Sequence, residues 1–258
     1  MKRFSFLIRF FILLGTAAGP AGLQAEETAP TLAARLAENV RDGSSVVRLK
    51  LEGGQPDPAL QLRIKSRRTA AGTDVMYQVL WPKERKGEGF VIRQSAGGAP
   101  SGNIFVPPST LRSLTAAELD QTVFGSDLGY LDLVENFFAW ERQTLTGQEV
   151  VDRVPCQILE SKPGSGDRSG YGLVRSWVDT KRLVTLRVEK FNRSGQMVRR
   201  ITTTKVTKDD TGHHVAASLV VQRAGKTGQT SLEGSNSQHG AASGDSDFAP
   251  EALRALAK

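Results

Sequence analysis

The sequence predicts a mainly β protein of the α+β class, built on one large curved antiparallel sheet of about ten or eleven strands with a few helices on its concave face. Three observations carry this. From Ser45 onward, apolar and polar residues alternate with a period of two in segment after segment. The segments are separated by short turn signals such as Lys86-Gly87, Ser194-Gly195 and Gly225-Lys226, which suit hairpins and not parallel crossovers. Only two stretches carry helical patterns.

Residues 1–25 read as a secretory signal peptide. Lys2 and Arg3 precede an apolar run from Phe4 to Leu14 that only Ser5 and Arg9 interrupt. Small residues follow, and Leu23-Gln24-Ala25 stands before Glu26-Glu27. Arg9 and the helix-breaking Gly19-Pro20 weigh against the alternative, a membrane anchor. Cleavage near Ala25 removes Lys2, Arg3 and Arg9, so the formal charge falls from +7 to +4. The remaining chain, residues 26–258, reads as one domain, because no linker divides it. Its expected location is a bacterial periplasm. A single cysteine excludes an internal disulfide framework, and Cys156, in Val154-Pro155-Cys156-Gln157-Ile158, reads as a small buried side chain.

The first element of that domain is an amphipathic helix over about Leu32–Val40, with Leu32, Ala33, Leu36, Ala37 and Val40 on one stripe, Thr31 as N-cap and Gly43 just past its end. Strands follow in Val47–Leu51 and Leu60–Lys65, where apolar and basic residues alternate. Further strands are expected at Asp74–Trp81, Gly89–Gln94, Asn103–Val106, Phe137–Thr144, Val150–Ser161 and Tyr171–Asp179. Leu183–Phe191, Met197–Val206, His214–Gln222 and Gln229–Glu233 complete the series. The interruption is Ser113–Glu135. There Thr115-Ala116-Ala117-Glu118 forms a capping-box pattern, followed by a Phe124-Gly125-Ser126 loop and a second short helix around Tyr130–Asn136.

Catalytic patterns are weak. His213 and His214 are strand neighbours that point to opposite faces and suit no shared metal. Gly125-Ser126-Asp127 lacks the spacing of a nucleophile elbow. Gly225-Lys226-Thr227 lacks the upstream glycine of a phosphate loop and lies between strands. The expectation is therefore no catalytic residue, no metal and no cofactor. Arg63, Lys65, Arg67 and Arg68 form the densest basic cluster, with Lys83, Arg85 and Lys86 next. They read as a solvated strand face, and the alternative of a dock for anionic headgroups or an acidic partner stays open. Nucleic acid does not fit an exported chain of charge +4.

What remains is a large apolar concavity, which few helical residues are available to cover. Strand alternation points Leu49, Leu51, Leu62, Ile64, Val79, Trp81, Trp140 and Trp177 toward it, and Phe124, Leu128 and Tyr130 belong to the segment expected to cover it.

The run Val123-Phe124-Gly125-Ser126-Asp127-Leu128-Gly129-Tyr130-Leu131-Asp132-Leu133 resembles a segment of the bacterial outer-membrane lipoprotein-sorting-like family, the LolA/LolB-like proteins. Trp177-Val178-Asp179, the hairpin Lys190-Phe191-Asn192-Arg193-Ser194-Gly195-Gln196 and the closing Phe248-Ala249-Pro250-Glu251-Ala252-Leu253 resemble further family segments in the same order. The likeness runs from about Val75 to the C-terminus. One departure is Gly129, where the family pattern has Ser or Thr. The resemblance implies an open antiparallel half-barrel wrapped around helices, whose apolar interior takes the acyl chains of lipoproteins or phospholipids. It implies no enzyme but a monomeric periplasmic carrier, touching membranes only transiently and exchanging cargo with an inner-membrane transporter or outer-membrane acceptor. A sensor or adaptor that docks a lipidated or protein partner is the alternative, and an enzyme acting on lipids is a third reading.

Overall fold

The structure is a computed structural model and describes residues 27–40, 43–53, 59–96, 98–134, 136–165, 170–240 and 244–256. The signal-peptide segment and its cleavage point lie outside the described residues.

Helix α1 spans Ala29–Val40. It starts earlier than the sequence suggests. Thr28, not Thr31, sits at its N-terminus, where its carbonyl accepts from Leu32 N and its Oγ1 from Thr31 N. Leu32, Ala33, Leu36 and Ala37 are all but fully buried. Thirteen strands follow among the described residues: β1 (Gly43–Glu52), β2 (Leu60–Thr69), β3 (Gly72–Trp81), β4 (Gly89–Ser95), β5 (Ser101–Val106) and β6 (Thr110–Ser113), then β7 (Arg142–Val151), β8 (Val154–Lys162), β9 (Tyr171–Asp179), β10 (Val184–Asn192), β11 (Met197–Lys208), β12 (His214–Arg223) and β13 (Thr230–His239). The count exceeds the expected ten or eleven, and one strand boundary falls elsewhere than expected. The short β6 carries too little pattern to be read. The stretch expected as a single strand from Val150 to Ser161 instead holds the end of β7, a turn at Asp152 (φ 48°) and Arg153 (φ 67°), and most of β8. Two consecutive left-handed residues make the primed turn that matches strand twist, but Asp-Arg lacks the glycine that normally announces one. Phe137–Ala139 is a 3-10 turn and not the start of a strand, so Trp140 stands outside the sheet.

All strands belong to one antiparallel sheet in the order β6-β5-β4-β3-β2-β1-β13-β12-β11-β10-β9-β8-β7. Every neighbouring pair is consecutive in sequence except β1 and β13, which join the two halves in the middle. This order has a consequence. The free edges, β6 and β7, are themselves consecutive in the chain. The connection between them, residues 114–141, therefore runs from one rim of the curved sheet to the other. It carries helix α2 (Ala116–Leu119) and three single 3-10 turns. The expected capping box is present: Glu118 N donates to Thr115 Oγ1 at 3.3 Å and Thr115 N to Glu118 Oε2 at 2.9 Å.

Alternation sorts the strands' side chains onto two faces. On the inner face, strands β1–β5 and β11–β13 pack against the connection, while Leu159 of β8, Val178 of β9 and Phe138 of the connection pack against α1. On the outer face, Met76, Val91 and Phe105 are covered by Phe248 and Leu253 of the C-terminal 3-10 segments Asp245–Phe248 and Pro250–Leu256. Arg63, Lys65 and Arg67 also point outward, but they are not a free solvated face. Lys65 pairs with Asp247, and Arg67 with Asp74 and Asp245 while lying over the Phe248 ring. Arg63 Nη2 donates to Gln78. Lys65 and Arg67 of the densest basic cluster thus clasp the C-terminal segment, while Arg68 Nη2 donates to Leu133 O in the connection.

Cys156 is buried on the outer face with Val151, Trp177, Val184 and Leu186, and burial pushes its thiol pKa up. Native protein at pH 8 should react with a disulfide reagent at least ten-fold more slowly than denatured protein; equal rates would place the thiol at the surface.

Candidate functional site

The inner face is the candidate site, and the connection over it is built from the sequence in steps. Residues 122–129 fold back as a tight loop, with Val123 N donating to Leu128 O and Thr122 bridged to Gly129. Its tip is two residues in left-handed conformation, Phe124 (φ 51°) and Gly125 (φ 74°). Glycine takes this at no steric cost, but a bulky residue at positive φ is strained by about 1–3 kcal/mol. The geometry aims the Phe124 ring inward, 5.3 Å from Phe90, and Arg85 lies over it at 5.7 Å. Tyr130 meets Phe90 edge-on at 4.8 Å and Tyr77 stacks on it at 5.0 Å. Burial pushes the Tyr77 phenol up to about 12, so it stays neutral.

Polar anchors hold the loop at both ends. Asp127 N donates to Thr230 Oγ1, and that hydroxyl donates back to Asp127 Oδ2, both at 2.9 Å. Further on, Asp132 is almost fully buried and receives Lys190 Nζ at 2.8 Å, the Tyr171 hydroxyl at 2.9 Å, Gly129 N at 2.7 Å and Arg199 Nη1. Lys190 Nζ also lies 4.8 Å from the Tyr171 ring centre. Burial alone would push the Asp132 carboxyl up. Lys190 and Arg199 outweigh it, helped by hydrogen bonds from Lys190 and Gly129, and hold its pKa below the usual carboxylate range. A Cβ on Gly129 would sit 3.1 Å from both Arg199 Nη1 and Asp132 Oδ2. Glycine at this position therefore leaves room for the ion pair.

Eight of the eleven residues singled out from the sequence meet in one cluster. Leu51, Leu62, Val79, Leu128 and Tyr130 are buried in it, and Leu49, Ile64 and Phe124 pack against it. The three tryptophans lie apart. Trp81 is 46% exposed, because a bulge opposite Gln61–Leu62 rotates the end of β3 and pairs it with outward-facing Gln61. Trp140 stands edge-on to Phe137 beyond the sheet. Trp177 faces outward, since Val178 faces in; its Nε1 donates to Glu149 and Arg187 covers its ring. Sequence reasoning missed Asp132, Tyr171, Lys190 and Arg199. Lys190 and Arg199 share a face with Val188 and Ile201 and are cross-strand partners, but in a single sequence their charge reads as solvated.

Side chains of the connection fill the apolar concavity, so open space lies beside it. A cleft of about 840 Å³ runs between Leu119–Thr122, Gly129 and Leu131 on one side and Tyr171, Asn192, Gln196–Arg199 and Arg223 on the other. A second, about 650 Å³, separates α1 from β10 and β12. At its end, Asp209, Asp210 and His239 bring possible metal-ligand atoms within 4.8 Å of one another. The His239 ring already faces both carboxylates, and Asp209 accepts from Thr211 N and His213 N, so the trio ties β13 to the β11–β12 turn. Ser126 is buried, with its hydroxyl accepting from Leu128 N.

A family model carrying the description "uncharacterized protein" matches residues 72–255. Solved structures share the fold at low identity. A DUF1329 family protein from Desulfovibrio piger superposes with a TM-score of 0.79 at 19% identity, covering 87% of this chain and 97% of that one. A protein described as an outer membrane lipoprotein-sorting protein domain, from Vibrio parahaemolyticus, gives 0.77 at 18% identity, covering 88% and 98%. A LolA superfamily protein from Nitrosomonas europaea gives 0.65 at 19% identity, covering 86% and 97%. No curated protein matches the chain in sequence. The chain therefore belongs to the family whose model spans residues 72–255, and its open thirteen-stranded sheet is the fold of the LolA-like structures.

Proposed function

We propose that the chain is a periplasmic carrier that shields acyl chains of lipoproteins or phospholipids against the inner face of its half-barrel. Residues 26–258 act as one non-catalytic domain after a signal peptide is removed near Ala25, exchange cargo with membrane-bound donors and acceptors, and bind neither metal nor cofactor. The observation that carries this reading is how the apolar inner face is covered. Its cover over β1–β5 is a rim-to-rim connection with one four-residue helix and isolated 3-10 turns, plugged by a strained Phe124. Such a segment has little internal structure to lose when it moves aside. Burying methylenes yields about 0.8 kcal/mol each, so a 16-carbon chain gives up to about 13 kcal/mol, enough to displace the plug's own contacts.

The test is native mass spectrometry of the mature protein taken from a bacterial periplasm without harsh detergent. Co-purified phospholipid or lipopeptide at fixed stoichiometry is expected. An apo mass that persists after incubation with lipid vesicles and acylated peptide would favour the adaptor reading. Phe124→Asp, which puts a charge where the plug meets Phe90, should lower retained lipid several-fold. Unchanged retention would remove the connection from the binding step.

A further inference from the structure

We propose that the 840 Å³ cleft beside the connection is a binding site for an anionic oxygen group, a phosphate or carboxylate, held by Arg199 and Arg223. Two independent observations point there. Arg199 is nine-tenths buried and lines the cleft; its Nη1 serves Asp132 and the Tyr171 hydroxyl, while its Nε has no hydrogen-bond partner. An unmet buried donor costs about 1–3 kcal/mol, and more on a charged group. Arg223 is the second observation. It lies directly opposite Arg199 in the β11–β12 ladder, lines the same cleft, and forms no ion pair among the described residues. Like charges directly opposite each other across two strands repel. Asp132 cannot compensate for both arginines, since it is already shared between Arg199 and Lys190. Among the described residues, the one acid on the cleft wall is Asp120, exposed at its lip.

An anion between the two guanidinium groups would remove the repulsion and give the planar forks an oxygen partner, the geometry in which arginine binds phosphate and carboxylate best. Leu131 belongs both to the cleft wall and to the fringe of the apolar cluster. A headgroup in the cleft could thus remain joined to chains on the inner face. The anion site deepens the carrier reading when the oxygen group is a lipid phosphate, but its arginines do not depend on it.

Mature protein titrated calorimetrically with inorganic phosphate, with dihexanoyl phosphatidic acid and with uncharged dihexanoylglycerol separates the cases. Phosphatidic acid should bind at least ten-fold more tightly than dihexanoylglycerol. Arg223→Gln should erase that preference while leaving dihexanoylglycerol binding unchanged. Arg199→Lys, which keeps a charge beside Asp132 but removes Nε, should weaken it as well. Phosphate bound alone, and lost in Arg223→Gln, would assign the cleft to free anions. If neither phosphate nor phosphatidic acid binds better than dihexanoylglycerol, or if both variants leave the preference intact, the anion site is overturned. Binding of dihexanoylglycerol without preference would leave the carrier reading standing alone.

Discussion

Replacing Asp132 by Asn is expected to cost about 3–5 kcal/mol of stability at neutral pH, the range found when one partner of a buried ion pair is removed. The carboxylate sits between Lys190 Nζ and Arg199 Nη1 with about 1% of its side chain exposed. Its loss leaves two cations of adjacent strands facing each other in a low dielectric. The pH dependence follows from the direction of the shift. The folded-state pKa lies below the unfolded value of about 3.9, so the stabilisation is fully present above that value and drains away as pH falls through the folded pKa. Urea unfolding at pH 7 should show the variant's midpoint displaced by about 1–3 M. The gap between wild type and variant should narrow in acid. A displacement equivalent to less than about 1 kcal/mol at pH 7 would show that the network does not hold the connection to the sheet.

This prediction concerns residues that a single sequence does not single out, which shows where legibility ends. Period-two alternation in β1–β4 placed Leu51, Leu62, Val79 and their neighbours correctly on one face, because those strands keep their register along most of their length. The family segment from Val123 to Leu133 drew attention to Phe124, Leu128 and Tyr130, which do meet the sheet. Alternation failed where the ladder is irregular. The bulge beside Gln61 turned Trp81 outward, and a 3-10 turn took Trp140 out of the sheet. It failed again with charge. Lys190 and Arg199 obey the alternation, but a buried cation is legible only once the strand that brings its carboxylate is known, and Asp132 arrives from a connection 58 residues upstream of Lys190. The basic residues of β2 illustrate the same point from the outside, since Lys65 meets its partner 182 residues later.

Truncating Phe248 to Ala is expected to cost about 3–5 kcal/mol, although the residue lies near the chain's end and far from the inner face. The ring is 1% exposed, packs with Met76, Val91, Phe105 and Leu253, and carries the Arg67 guanidinium 5.1 Å above it. The C-terminal segment is also tied down by ion pairs, Lys65–Asp247 and Arg67–Asp245, and the two kinds of contact predict different results. Lys65 and Asp247 keep 24% and 32% of their side chains exposed, and Asp245 keeps 91%. Pairs that wet are worth about 0–1 kcal/mol each and weaken with salt. Lys65→Gln should therefore shift the urea midpoint only slightly, and less in 0.5 M salt, whereas Phe248→Ala should shift it strongly at any salt concentration. The apolar contact wins because it is what keeps the outer faces of β3, β4 and β5 dry; the charges set where the segment lands. If Lys65→Gln proved as costly as Phe248→Ala, the basic residues of β2 would be the main clasp, and the C-terminal segment would be held by charge instead of burial.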